Sequence, residues 1–438
     1  MAVFRQIVQC EFCAATTLIR IQIGYLEQHP IRVPCGSCGV LISATAFVSQ
    51  SKPKFWVDYR NAKLVDDESG DFYIEASPEF LTEKLQKLDR RAPPLDFSPF
   101  IKAFAVMGDK GYEEFGRNIQ RFSHILKTSW PQIQRINQLW LSRALPQLAR
   151  EILTMQARLE FLAPNQLSIS NELQSLMAVH RLNLLFISPI RNPERFEEIT
   201  KLIFKALKKF SAAQIADLMD FGEMLNQRGY LQQLEEKFLC LTELFVERFR
   251  FLIPVFGLRY YQSRDPDLLE RKGVTTTSFE DLKQLFLFSH EIISESLTLI
   301  VGWNNVRNRG GWSRMAPRRE DVQTLSQYED KSLDARAQYL DGSEVFDRLL
   351  HNYWDEPLCS SIAHGFHKYE GVEQRVIYYA GGLKDEANKR SVFLVEFTHR
   401  CLELFLAAQD VAELLYQTQK LVFGRQGQQS IPPPIRRR

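Results

Sequence analysis

The sequence predicts an α+β protein, with a small β-rich module at the N-terminus followed by a large helical bundle. Three observations carry this reading. Two CxxC pairs near the N-terminus are flanked by β-branched alternation, TTLIRIQI at 16–23 and VLISATAFV at 40–48. Later the apolar period becomes helical. Leu234, Phe238, Leu241, Phe245, Phe249 and Leu252 fall on one stripe, and Phe397, Cys401, Leu404, Ala408, Val411 and Leu415 on another. Between the two regions, the Pro93-Pro94 pair forbids any helix from running through.

In chain order, residues 1–50 form the β-rich module and 51–92 its extension. In the extension, FWVDYR (55–60) and DFYIEA (71–76) read as the arms of a hairpin about Asp66–Gly70. Glu79–Arg91 reads as a short helix. Residues 93–99 are the predicted linker and 100–423 the helical domain. Residues 424–438, ending IPPPIRRR, are a predicted disordered basic tail. Inside the helical domain, Pro131 suits the first turn of a helix that Pro146 should end or kink. Thr277-Ser278-Phe279-Glu280 has the pattern of a capping box. No heptad is sustained and no solenoid period recurs, so a globular bundle is expected.

The chain has 438 residues, 45% hydrophobic, with 55 Lys and Arg against 53 Asp and Glu. That is enough apolar material for a core, and it excludes disorder as a general description. A net charge of +2 excludes a histone-like polyanion coat but leaves room for a local basic patch. MAVFRQIVQCEF has no signal-peptide core. The most apolar stretches, 239–256 and 285–301, carry charges such as Glu243, Arg248, Glu291 and Glu295 that penalise a bilayer crossing. The seven cysteines divide into two CxxC pairs and three singles (Cys240, Cys359, Cys401), which is metal usage and not a disulfide ladder. A soluble, cytoplasmic protein without a membrane partner is the expectation.

Cys10-Glu-Phe-Cys13 and Cys35-Gly-Ser-Cys38 carry the most specific chemistry in the chain. Four thiolates suit a tetrahedral Zn²⁺, and two tight CxxC turns deliver two each, with Gly36 and Gly39 allowing the second turn. With strands on both sides, the first fifty residues resemble a zinc ribbon. The resemblance implies one structural Zn²⁺ without an open coordination position, and a partner that is either nucleic acid or protein. A thioredoxin-type redox pair would need a surrounding βαβ pattern, which is absent; four cysteines also leave an iron–sulfur centre open.

In the helical region, Arg117-Asn118 followed by His124 lies within EFGRNIQRFSHILK, and the region resembles HEPN-domain proteins through this short motif. The resemblance implies metal-independent RNA cleavage, with His124 near the attacking 2′-hydroxyl and Arg117 stabilising phosphate charge. It also implies paired subunits, hence a homodimer, and a bacterial defence or toxin setting. Against it, and favoured over it, Arg117 and His124 read as the wet face of a helix that buries Phe115, Ile119, Phe122 and Leu126. His364 is a second candidate for the family histidine, but Cys359 and Ser360 stand where the Arg and polar residue should be, and a cysteine holds no permanent cation. His364 before Gly365 also reads as a helix end. His351, Cys359, His364 and His367 form a further conceivable metal cluster, which Gly365 argues against.

The stretch 303–319, WNNVRNRGGWSRMAPRR, interleaves Arg307, Arg309, Arg314, Arg318 and Arg319 with Trp303 and Trp312. Guanidiniums pair with phosphates and indoles stack on bases, so this is a candidate single-stranded nucleic-acid contact. The alternative is a solvated loop with its tryptophans packed inwards. Lys201, Lys205, Lys208 and Lys209 read as the wet face of an amphipathic helix. There is no GxxxxGK[ST], no GxGxxG after a strand, no HExxH and no GxSxG. Gly108–Gly111 has GxxG spacing without a KH strand pattern. The expectation is a zinc-ribbon protein that binds nucleic acid, RNA first, or assembles with partners. The alternatives are an active ribonuclease using Arg117 and His124 or His364, and a zinc-dependent protein-interaction scaffold.

Overall fold

The computed structural model describes residues 3–49, 54–66, 70–88, 97–158, 169, 171–262, 267–315, 322–332, 335–336, 339 and 355–429. Strands occupy the N-terminal region and helices most of the rest, an α+β architecture divided into two compact units.

The first unit combines residues 1–123, 244–288 and 355–405. It opens with a β-module of two sheets. One sheet has the order β6-β1-β2-β7-β9, from β1 (Val3–Cys10), β2 (Thr16–Gln22), β6 (Ala62–Val65), β7 (Phe72–Ala76) and β9 (Gln86–Lys87). The other is β3-β4-β5, from β3 (Gln28–Pro34), β4 (Leu41–Ser49) and β5 (Lys54–Arg60). The strand pleat accounts for their pairing. In β4, Ile42, Ala44 and Ala46 are buried, while Ser43, Thr45 and Phe47 point the other way. These join Val8, Ile19, Ile21, Ile31, Val33 and Ile74 in one apolar cluster between the sheets.

The strands expected at 16–23 and 40–48 are present. The expected hairpin of 55–60 and 71–76 is not. β6 intervenes and pairs with β1, β5 pairs with β4, and β7 runs parallel to β2. The expected helix over Glu79–Arg91 is also replaced. Phe80 and Leu81 are buried, Thr82–Glu83 forms β8 and Gln86–Lys87 forms β9; residues 89–91 lie outside the described residues. β8 pairs with β10 (Lys272–Gly273), which follows the one-turn helix α8 (Leu268–Arg271) far along the chain, a long-range bond that a local pattern does not encode. Of the predicted linker, 93–96 lie outside the described residues, and Pro99 already opens α1.

Helices and a second sheet complete this unit. α1 (Pro99–Thr128) breaks at Gly108, whose φ of 67° no side-chain-bearing residue adopts without cost, so the GxxG spacing is a helix kink. The β-module is fastened to the loop before α9 (Phe279–Glu295). The Arg32 amide donates to the Thr275 carbonyl at 2.8 Å, and Arg32 Nε to Asp281 Oδ2 at 3.1 Å. That same Asp281 carboxylate accepts the Ser278 amide at 2.9 Å, so the helix cap is Ser278 with Asp281, one residue later than the expected box. Within 100–423, expected to be all helical, β11 (His367–Glu370), β12 (Arg375–Tyr379) and β13 (Lys389–Phe393) form an antiparallel meander. It is anchored by buried Gln374, whose side chain bonds both the amide and the carbonyl of Val274.

The second unit combines residues 124–243, 289–354 and 406–438. It holds α2 (Trp130–Leu141), α3 (Leu145–Arg158), α4 (Glu172–Ile187), α5 (Pro193–Lys209), α6 (Ala212–Gln227), α10 (Leu297–Arg309) and α11 (Leu325–Glu329). Pro131 sits in the first turn of α2 as expected. Three helices start on side-chain caps: Asn171 for α4, Asn192 for α5, and a Ser211/Gln214 capping box for α6. α7 (Tyr230–Phe256) and α13 (Leu394–Gln429) contribute to both units, and both predicted stripes are buried. A short helix, α12 (Glu356–Ala363), precedes the meander. α13 runs to Gln429, so the expected disorder from 424 is overturned as far as that residue; 430–438 lie outside the described residues. The helical stretch 279–309 is long and apolar enough to cross a membrane, and 78% of its apolar window is buried inside the fold.

Candidate metal centre

Each CxxC is the turn of a hairpin. Cys10 ends β1 and β2 starts at Thr16; β3 ends just before Cys35 and β4 starts at Leu41. The two turns are built alike. The Cys10 amide donates to the Ala15 carbonyl at 2.9 Å, and the Ala14 amide to the Cys10 carbonyl at 3.0 Å. In the second turn the Cys35 amide donates to Val40 at 2.8 Å, and the Gly39 amide to Cys35 at 2.9 Å. Both turns need a left-handed residue after the second cysteine: Gly39 at φ 75° in one, Ala14 at φ 58° in the other. Gly36 has a different reason to lack a side chain, since a Cβ there would run into the Phe72 ring.

Placing the hairpin turns together gathers the four sulfurs within 4.8 Å of one another. Cys10 and Cys38 are 3.8 Å apart, Cys13 and Cys35 3.5 Å. A tetrahedron with metal–sulfur bonds of about 2.3 Å has edges of about 3.8 Å, whereas a disulfide would need about 2.05 Å. The spacing therefore fits a tetrathiolate metal ion such as zinc, and all seven cysteines are free of disulfides. Hydrogen bonding from the Ala15 backbone lowers the Cys13 thiol to about 7, while burial pushes Cys35 up to about 12. A metal must displace the Cys35 proton, so loading the site releases protons and acid opposes it. Four protein thiolates would fill the coordination sphere of a bound ion and leave no open position for a substrate.

The other predicted residues are placed as follows. Arg117 and His124 are both exposed on α1, while Phe115, Ile119 and Phe122 are buried and Leu126 half-buried. Asn118 is engaged with the Tyr260 hydroxyl at 2.8 Å. His364 is the exposed C-cap residue that follows α12, and Gly365 comes next at φ 74°. His367 lies in β11, and His351 lies outside the described residues. Among the described residues, the four thiols are the group able to hold a metal.

The stretch read as a basic loop is largely the end of α10. Trp303 is 1% exposed and donates Nε1 to Thr418 Oγ1 at 2.9 Å. Trp312 stacks on Phe221 at 5.4 Å, and its amide donates to Asp217 at 2.6 Å. Arg309 bonds the Asn305 side chain and Arg314 the Arg309 carbonyl, which leaves Arg307 exposed; Arg318 and Arg319 lie outside the described residues. Both tryptophans pack against the helices, Trp303 buried and Trp312 half-buried. Lys201, Lys205, Lys208 and Lys209 are the exposed face of α5.

Two features escaped the sequence reading. The helical unit contains a cavity of about 80 Å³ lined by His180, Glu235, Phe238, Leu415, Tyr416 and Gln419, among others. Its polar groups are already partnered: Glu235 accepts from Trp140 Nε1 and Gln419 Nε2, and His180 bonds Glu413. The second is the outward face of β5, where Trp56 is 45% exposed; strand alternation in KFWVDYR is the signal that could have found it. No family model, no curated protein and no solved structure matches this chain.

Proposed function

We propose that this chain is a zinc-stapled protein that binds nucleic acid through its N-terminal β-module. The observation that supports it is the joining of two hairpins by four clustered thiols in a module whose charge is segregated. Residues 1–65 carry seven Lys and Arg against three Asp and Glu, whereas 66–88 carry two against seven, so the basic excess is confined to the first six strands of a module that is near neutral as a whole. Metal-fixed turns hold side chains in a set geometry, and basic groups on such a frame attract phosphate. The HEPN likeness of the helical part belongs to this proposal and rests on Arg117, Asn118 and His124. So do a cytoplasmic setting, suited to unbridged cysteines, and a place in a defence or toxin system. The test is retention of labelled single-stranded RNA on the zinc-loaded chain over a salt series. Retention that fades steeply with salt supports the reading, and none at low salt refutes it.

A second reading, a metal-independent ribonuclease, is favoured by the joint exposure of Arg117 and His124 on one helix. Cleavage that persists in chelator and disappears in His124→Ala would support it. Cleavage unchanged in that variant would exclude His124 from the site.

A further inference from the structure

The strand β5 alternates with regularity, and its inward residues are accounted for. Phe55 stacks on Phe4 with ring centroids 3.9 Å apart, and the Tyr59 hydroxyl donates to Gln6 at 2.6 Å. Its outward residues, Lys54, Trp56, Asp58 and Arg60, are all exposed. Trp56 lies beside Phe47 of β4, the rings nearly parallel at 4.9 Å, with Lys54 Nζ 5.3 Å from the indole centroid. Phe47 supports one side of this indole, and with 45% of its surface exposed the ring still offers an aromatic surface to solvent at the edge of the sheet.

At the other end of β5, Arg60 precedes Asn61, whose carbonyl accepts the Glu11 amide at 3.1 Å. That bond fixes the first metal turn against the end of the strand. The turn presents Phe12, 68% exposed, between its two cysteines. The outward face of β5 thus carries, in sequence, a cation, a supported indole, an acid and a second cation. From Lys54 to Arg60 the strand spans about 20 Å, within the range of the shorter strand sites of single-stranded binders, about four nucleotides and upward.

We infer that the outward face of β5, with Trp56 stacked on Phe47 and flanked by Lys54 and Arg60, is a base-stacking site for single-stranded nucleic acid. This rests on the nucleic-acid reading above and assigns it a place and a strand class. Every base has a π-face that an indole can cover, and the flanking cations answer the phosphates. A duplex keeps its base faces internal and offers Trp56 nothing to stack on. Lys54 and Arg60, exposed on the same face as Trp56, are the charge complement that such a strand needs. A zinc tetrathiolate subtracts two charges, but at the hairpin turns, away from Lys54 and Trp56. Asp58, between the cations, disfavours phosphate at the middle of the path and leaves the ends to bind it.

The experiment is fluorescence polarisation of a fluorescein-labelled oligo-uridine with zinc-loaded full-length protein, alone and annealed to its complement. Trp56→Ala is expected to weaken single-strand binding about tenfold, and Trp56→Phe, which keeps a stacking ring, to recover most of it. Lys54→Glu, a surface change, is expected to weaken binding and flatten its salt dependence. Circular dichroism and zinc content of each variant separate a lost contact from a lost fold. If the wild type binds and Trp56→Ala, still folded, binds equally well, this site is wrong while the proposed function stands. If the duplex binds as tightly as the single strand, the strand class is wrong. If the wild type retains neither form at low salt, the proposed function fails and this site with it.

Discussion

In the β-module the buried cluster is made of Val8, Ile19, Ile21, Ile31, Val33, Ile42, Ala44, Ala46 and their neighbours. In the helical unit the largest fully buried side chains are Trp140, Trp303, Tyr328, Phe186 and Phe221. Burial stabilises by about 0.8 kcal/mol per methylene, so the module's short side chains bring less to its core than the rings bring to theirs. In the helical unit, protein groups partner two buried carboxylates. Asp410 is held by Arg191 and Arg195, and Glu413 by His180. The module's hairpin turns instead bring together four sulfurs that could hold a metal ion. One region carries its stability in its side chains, and the other has a thiol cluster to which a bound metal would add stability.

The sharpest way to break this comparison is to remove the metal. Structural zinc contributes apparent free energies of about 10–16 kcal/mol in small metal-folded domains. Hydrogen exchange on the full chain is therefore expected to show β1–β4 losing protection in Cys35→Ser or under a strong chelator. Amides of α10 and α13 beyond residue 406 should keep theirs. Loss in both regions, or in neither, would remove the distinction.

The converse change is made in the helical unit. Trp303→Ala deletes a fully buried indole and its bond to Thr418, and should cost about 3–5 kcal/mol. Denaturant unfolding is expected to show that loss with zinc content unchanged.

Two buried groups in the first unit make its stability depend on pH with opposite signs. His29 lies in the module core with neither ring nitrogen hydrogen-bonded, and burial lowers it to about 4. The unfolded chain takes up a proton near 6.5, so His29 lowers stability as pH falls from about 6.5 to 4. Glu79 is buried beside the Tyr25 amide, and burial raises it to about 7. Here the folded state keeps its proton after the unfolded chain has lost its own near 4.5, so stability falls as pH rises from about 4.5 to 7. Each contributes up to about 3 kcal/mol, and between 4.5 and 6.5 the two slopes oppose. His29→Leu should flatten the acid side of the stability profile and Glu79→Gln the neutral side. Melting curves over pH that kept their wild-type shape in both variants would contradict this.

The smallest expected effect concerns the two metal turns themselves. Ala14 occupies the left-handed position that Gly39 fills in the other turn. Ala14→Gly should stabilise the module by about 1 kcal/mol, seen as slower exchange in β1 and β2, whereas Gly39→Ala should destabilise it by a similar amount.

The sequence disclosed what depends on local period and spacing. The thiol set, strands β2 and β4, and the buried stripes of α7 and α13 were all legible. It hid what depends on distant pairing. β7 reads as a hairpin partner of β5 but runs parallel to β2, and Thr82–Glu83 becomes a strand only because Lys272–Gly273 pairs with it. Short strands such as His367–Glu370 have too few residues to show alternation. The tryptophans misled for a related reason. Trp303 and Trp312 stand among arginines in sequence and pack inwards in space, while Trp56 stands in an ordinary strand and faces out. Interleaved composition does not say which side of a helix a ring occupies. Strict two-residue alternation does, for a strand.

The most direct test of the central claim compares oligo-uridine binding by the zinc-loaded chain and by the same chain stripped of metal, at low and moderate salt. The account predicts salt-sensitive binding by the loaded protein that is lost on stripping and returns when one equivalent of zinc is restored. Equal binding in both forms, or none in either, would contradict it.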